Sequence, residues 1–136
     1  MLGTIRKSVT YPQPREMVWQ ALTDSDALAA WLMPNDFRPE IGHQFTFRTD
    51  PAPGFDGIVH CEVLELRPPE LWRISWAGGG LWTELTITLR VVQGGTRLDL
   101  THKGFGLKDA VPRVILGLGW GRIVRRHLRA YLERAE

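Results

Sequence analysis

Two histidines stand on faces that are otherwise apolar. His102 ends the strand-like stripe of Leu98 and Leu100, and His127 falls near the centre of a helical face shared by Leu116, Trp120, Ile123, Val124 and Tyr131. Imidazoles placed this way can fix the polar end of a ligand. They can also serve as acid and base in a cyclisation, dehydration or hydrolysis. Either one alone is more often a core imidazole whose nitrogens meet a carbonyl or a carboxylate. Glu65 joins them if its strand face points inward, and a carboxyl buried beside an imidazole has a shifted pKa.

Other chemistry finds less support. The four His lie far apart, with no His-Glu-x-x-His and no Cys-x-x-Cys, so no metal is expected; His60 and Glu62 share a strand face but read as solvated. Neither Gly78 to Gly80 nor the Gly117, Gly119, Gly121 alternation fits a phosphate loop, and no cofactor is expected. Cys61 has no visible base to activate it and reads as a half-buried strand residue. Arg122, Arg125, Arg126 and Arg129 form a basic helix face suited to phosphate or an acidic partner, although most such faces simply keep a protein soluble.

The elements that must position these residues follow from period and punctuation. Thr4 to Tyr11 alternates Ile5, Lys7, Val9 and Tyr11 until Pro12 and Pro14 end the strand. Met17, Val18, Ala21 and Leu22 then recur at helical spacing. A second short helix, capped by Asp24 or Ser25, carries Leu28, Trp31 and Leu32 as far as Pro34. Phe45 and Phe47 mark a strand. Ile58 to Leu66 is strand-like with apolar residues on both faces, which implies a bulge or two-sided burial. Trp72, Ile74 and Trp76 alternate cleanly before the Gly78 to Gly80 reversal. Leu85, Ile87, Leu89 and Val91 form the next stripe, Gln93 to Gly95 turn the chain, and Leu98, Leu100 and His102 return antiparallel. The last segment is helical, and because each glycine costs a helix about 1 kcal/mol, regular helix is expected from near Gly119.

With 136 residues, one α+β domain spanning 1–136 is expected. Hydrophobic residues at 43% and charged residues at 24% are ordinary for a globular chain, which argues against disorder and against a membrane protein. A formal charge of only +2 gives nucleic-acid binding little support. The lone cysteine and a first nine residues without an apolar core favour the cytoplasm.

Six or seven strands about 4.8 Å apart make a sheet roughly 30 Å wide, whereas one helix covers about 10 to 12 Å. The sheet must therefore curl around the C-terminal helix, with the two short helices closing one end and the interior filled by large side chains or by a ligand. The residues expected to line that space are Trp31, Phe45, Phe47, Trp72, Trp76, Leu85, Ile87, Leu100, His102, Trp120, Val124 and His127.

Beyond these patterns the chain resembles the activator of heat-shock-protein-90 ATPase homologue family, within the START-like or SRPBCC superfamily. The resemblance rests on Val18-Trp19-Gln20-Ala21-Leu22-Thr23-Asp24, Leu28 with Trp31, Gly42 with Phe45 and Phe47, Glu65-Leu66 with Pro68-Pro69, and Trp76. It continues through Gly95-Thr96-Arg97-Leu98, Leu100 to Phe105, and Gly119-Trp120. It implies a helix-grip fold with a deep cavity between sheet and C-terminal helix, and no single activity: superfamily members bind lipids, plant hormones or polyketides, and some cyclise polyketides. The co-chaperones that name the family pair such a domain with an N-terminal chaperone-binding domain that these residues do not include, so a chaperone partner is the weaker expectation.

The leading expectation is a protein that binds a small apolar or amphipathic molecule. An enzyme using the cavity histidines is the second reading, and a chaperone-associated interaction domain using the Arg face is the third. An unpaired edge strand offers a route to a homodimer.

Overall fold

Wherever side chains alternate with period two, the computed structural model, which describes residues 3–136, forms a strand. The strands are β1 (Thr4–Tyr11), β2 (Gln44–Arg48), β3 (Ile58–Arg67), β4 (Leu71–Gly78), β5 (Leu81–Val92) and β6 (Gly95–Lys103). They make one curved antiparallel sheet in the order β1-β6-β5-β4-β3-β2. Strands β2 to β6 follow one another as hairpins, while β1 lies beside β6 at the far edge. The chain between β1 and β2 therefore crosses the whole sheet, and it does so as α1 (Arg15–Thr23) and α2 (Ser25–Trp31). The Asp24 carboxylate accepts from Ala27 N–H at 2.9 Å and caps α2, and the Trp31 indole donates to the Ala21 carbonyl at 2.8 Å, tying the two helices together.

Strand registers stack the inward faces. His102 stands opposite Ile5 on one side and Leu85 on the other, Leu100 opposite Ile87, and Ile87 opposite Trp72. Val91, at the far end of the β5 stripe, is exposed, whereas Thr96 opposite it is buried under Gln13. In β3 the two-faced apolar pattern is a bulge. Val59, Cys61 and Val63 point inward, the register then shifts between Val63 and Glu65, and Leu66 stands opposite Trp72. Glu65 is thereby turned to the outer face, away from His102. There it pairs with Arg67 at 3.0 Å and Arg73 at 3.3 Å, and Arg73 continues to Glu84 at 3.0 Å. At the β2 edge, residues 34–36 supply partners: Arg48 N–H donates to the Pro34 carbonyl at 2.9 Å, and Thr46 N–H to the Asp36 carboxylate at 2.7 Å.

The C-terminal helix departs from expectation in two ways. It begins at Ala110, not near Gly119: a 3-10 turn (Leu107–Asp109) leads into α3 (Ala110–Arg122), with Pro112 in the first turn, where its missing N–H costs nothing. Three glycines weaken this stretch without breaking it, because the ladder is already anchored downstream by buried Trp120, Val124, Leu128 and Leu132.

The second departure moves His127. Residues Ile123–His127 form a π-turn before α4 (Leu128–Ala135), and Leu128 N–H bonds to the Ile123 carbonyl five residues back. A π-turn accommodates one extra residue, so every later position lags by about 100° relative to a plain α-helix. Leu128 takes the inward place that the wheel assigns to His127, Leu132 takes that of Tyr131, and His127 faces solvent. Tyr11 supports the distortion: its hydroxyl donates to the Val124 carbonyl at 2.6 Å, inside the disturbed ladder.

A single-residue deletion tests this reading. Removing Arg126 should return the helix to 3.6-residue phase with Leu128 and Leu132 still inward, leaving the thermal midpoint within a few degrees of the parent. Removing Ala130 should rotate Leu132 out of the core and cost about 2–3 kcal/mol. Circular-dichroism melting distinguishes the two.

Candidate functional site

Aromatic side chains fill most of the space between sheet and helix. Ring centroids run in contact from Phe37 to Phe45 (5.2 Å), Phe45 to Phe47 (5.3 Å), Phe47 to Trp76 (5.6 Å) and Trp76 to Trp120 (5.4 Å). Of the residues expected to line the interior, Trp31, Phe45, Phe47, Trp72, Trp76, Leu85, Ile87, Leu100, His102, Trp120 and Val124 are all buried; His127 is not among them. Most of that set packs as solid core. The Trp72 indole nitrogen is enclosed without an acceptor among the described residues.

His102 sits at the centre of this packing, fully buried and edge-on to Trp76 at 5.4 Å. The Trp120 indole can only donate, and it points at His102 Nδ1 from 3.0 Å. That nitrogen must therefore be the unprotonated acceptor, which leaves the proton on Nε2. Nε2–H donates to the Thr83 hydroxyl at 2.8 Å, and the hydroxyl donates on to the Trp76 carbonyl at 2.7 Å. The relay runs one way from helix to sheet and satisfies every group in it. A second proton on the imidazole would face the indole N–H head-on, and burial already depresses the His102 pKa to about 4. His102 is a neutral strut joining α3 to β4, β5 and β6. With His127 outside, the structure does not assemble a histidine pair.

Two other candidates are placed by the same packing. Burial pushes the Cys61 thiol well above its ordinary range, with the Asp36 charge adding to the effect, so the reactive thiolate is suppressed. On the basic helix face Arg122, Arg125 and Arg126 are exposed, whereas Arg129 folds back over the Tyr11 ring at 5.2 Å and reaches the Thr10 carbonyl.

An open space does remain at one end of the core. Where the β2–β3 loop, the β4–β5 hairpin and the first half of α3 meet, a cavity of about 440 Å³ opens beside Trp76. Val59, Trp76 and Met33 line its inner part, Pro53 and Phe55 come from the loop, and Leu81 with Gly78 and Gly79 from the hairpin. Val111, Pro112, Ile115 and Leu116 supply the helix wall. Gly79 adopts φ +58°, and a Cβ on Gly78 would come 2.9 Å from the Ile58 carbonyl and 3.2 Å from the Phe55 ring, so glycine is what lets the loop close against the hairpin. Among the described residues no charged side chain lines the cavity, and Thr49 alone brings a hydroxyl.

Of the residues expected to meet a ligand, only Trp76 borders this space. Pro53 and Phe55 lie in the connection before Ile58, to which no element is assigned from the sequence, and Val111, Pro112 and Ile115 precede the expected helix start. Their signals are Phe55, a lone large apolar residue among Pro and Gly, and Val111 and Ile115 at helical spacing after Leu107.

A six-stranded curved sheet gripping a C-terminal helix, with a cavity at one end, can be compared with known proteins. The family model described as "Activator of Hsp90 ATPase homolog 1-like protein" matches residues 12–133. The chain belongs to that family. Its fold is also that of solved relatives. Protein MLL2253 from Mesorhizobium loti superposes with a TM-score of 0.90 at 28% identity over 98% of both chains. Bacillus halodurans protein BH1534 does so at 0.81 and 29% identity over 96% of this chain and 97% of its own. DynU16, titled a putative protein in the dynemicin biosynthetic locus, shares the fold at a TM-score of 0.81 and 23% identity, covering 98% of this chain and 48% of that one. Among curated proteins no sequence matches. In this member of the Hsp90-ATPase-activator-like family, no helix of the described residues is long and apolar enough to cross a membrane.

Proposed function

We propose that the protein binds an uncharged, predominantly apolar small molecule in the cavity beside Trp76. One observation carries the reading: a space of about 440 Å³ walled by aliphatic and aromatic side chains, with no charged group on its wall among the described residues. That volume lies within the roughly 300–1,000 Å³ usual for small-molecule sites. A charged ligand group brought inside would lose its water without gaining a partner.

Burial of about 300 Å² of apolar ligand surface supplies roughly 7 kcal/mol gross, and association costs about 4 kcal/mol or more. Affinity from apolar contact alone is therefore modest, and tighter binding depends on shape and on Thr49. Catalysis by His102 finds no support in this geometry, since both ring nitrogens are engaged within the core.

The test is a titration with N-phenyl-1-naphthylamine, a neutral apolar dye that brightens when it leaves water. Saturable one-site binding is expected for the parent. Leu81→Asp, which sets a carboxylate on the cavity wall at a half-exposed position, should weaken it by on the order of tenfold or more while leaving the fold intact. Absence of saturable binding, or identical affinity in the variant, would rule the cavity out as the site.

A further inference from the structure

The first half of the C-terminal helix carries an apolar stripe that the described residues leave uncovered. Leu107, Val111, Val114, Ile115 and Leu118 are each more than half exposed. On a helix of 3.6 residues per turn they fall within an arc of about 100°. Arg122 extends the same line one turn beyond Leu118, and Arg125 and Arg126 are exposed after it.

Charge is distributed unevenly to match. No Asp or Glu occurs between Ala110 and Leu132. Residues 107–136 hold seven Lys and Arg against three acids, a net +4, while residues 1–106 hold ten against twelve, a net −2. The whole positive excess of the chain lies on this segment.

Three kinds of occupant could cover such a face, and they are not equally suited. A second copy brings the same positive charge and no acidic residue on this helix to answer it. A polynucleotide answers the charge but gains nothing from five exposed aliphatic side chains. An anionic bilayer meets both, because its headgroups attract the arginines and its acyl boundary takes the apolar stripe.

We propose that this face of α3 docks on the surface of an anionic lipid bilayer. The contact is peripheral, lying along the membrane and not across it. Val111 and Ile115 belong both to the stripe and to the cavity wall, so docking sets the cavity mouth against the lipid. An apolar molecule would then pass between membrane and cavity without crossing open water. That last consequence rests on the proposed function; the docking itself does not need the cavity to be filled.

The full chain should be sedimented with vesicles of phosphatidylcholine alone and with vesicles of phosphatidylcholine and phosphatidylglycerol in equal parts. It is expected to pellet with the mixed vesicles, much less with the neutral ones, and less as salt is raised. The double variants Val114→Asp with Leu118→Asp, and Arg122→Glu with Arg126→Glu, should each lower the partition coefficient by on the order of tenfold or more. All four positions are exposed and none lines the cavity, so melting curves and dye binding without lipid should stay at parent values, which separates failure of docking from failure of the ligand reading. Parent protein that remains in the supernatant, or equal salt-independent binding to neutral vesicles, would overturn the proposal. So would a solution dimer that Leu118→Asp splits, since a second copy would then be what covers the stripe.

Discussion

Trp120→Ala is expected to cost about 5 kcal/mol of unfolding free energy. Truncating a fully buried tryptophan removes roughly 3–5 kcal/mol through lost contacts and the cavity left behind. The change also strips His102 Nδ1 of the Trp120 donor, and a buried acceptor left without a partner costs about 1–3 kcal/mol more. For a chain of this length the thermal midpoint should fall by roughly 15–20 °C. Two companions isolate the terms. Trp120→Phe keeps most of the ring but not the N–H, and should recover much of the packing while retaining the polar penalty. Trp82→Ala, which removes a tryptophan that is 78% exposed, should change stability by less than about 0.5 kcal/mol. Urea and thermal denaturation of the three variants provide the check. Equal losses for Trp120 and Trp82 would contradict the strut.

The second large effect is on pH dependence. His102 is held neutral in the folded state with a pKa near 4, against about 6.5 in the unfolded chain. Above pH 6.5 the imidazole is neutral in both states and exacts no penalty. As pH falls below 6.5 the unfolded chain takes up a proton that the folded one refuses, so stability declines; the decline ends near pH 4, where the folded state accepts it too. A shift of that size corresponds to about 3 kcal/mol lost between pH 6.5 and 4. Urea midpoints measured across that window should show the fall, and His102→Gln, which cannot titrate, should flatten it although it is less stable at neutral pH. Any carboxylate contribution is common to parent and variant and cancels in the difference. A parent profile no steeper than that of the variant would mean that the imidazole titrates alike in both states.

How much of this could be read from the residues depends on the length scale of each feature. Strands β4, β5 and β6 were legible because Trp72, Ile74 and Trp76, then Leu85, Ile87 and Leu89, then Leu98, Leu100 and His102 each keep strict period two against a half-buried face. The cavity was anticipated in kind from sheet width against helix width, and its place was not. Whether Trp72 or Trp76 faces an open space depends on how neighbouring side chains pack, and periodicity carries no information about that. Glu65 could not be placed because a one-residue bulge reverses every later side chain in the strand. His127 was misplaced for the corresponding reason in a helix: a π-turn leaves no mark on composition, yet it shifts the phase by one residue and brings Leu128 inward instead. In both cases a single inserted residue changed which chemistry faces the interior.

Two imidazoles on apolar faces suggested acid–base chemistry; one proves to be a satisfied strut and the other a surface residue. What remains for function is shape and apolarity at the end of the core where Phe55, Leu81 and Ile115 converge. That end is walled by the part of α3 least held by packing, since the only residues of α3 that are buried are Trp120 and Gly121 near its C-terminus. Trp120 and His102 anchor α3 to the sheet on the core side of Trp76, and the cavity lies on the weakly packed side.

The most direct test uses the six indole N–H resonances of the uniformly nitrogen-15-labelled protein during the dye titration. The Trp76 signal should move progressively and saturate along the dye-binding curve, while those of Trp31 and Trp72, sealed in the core away from the cavity, and of exposed Trp82 stay in place. Saturable binding that leaves Trp76 unmoved and shifts Trp82 would put the ligand on the outer face of the sheet, and the account of the cavity would be wrong.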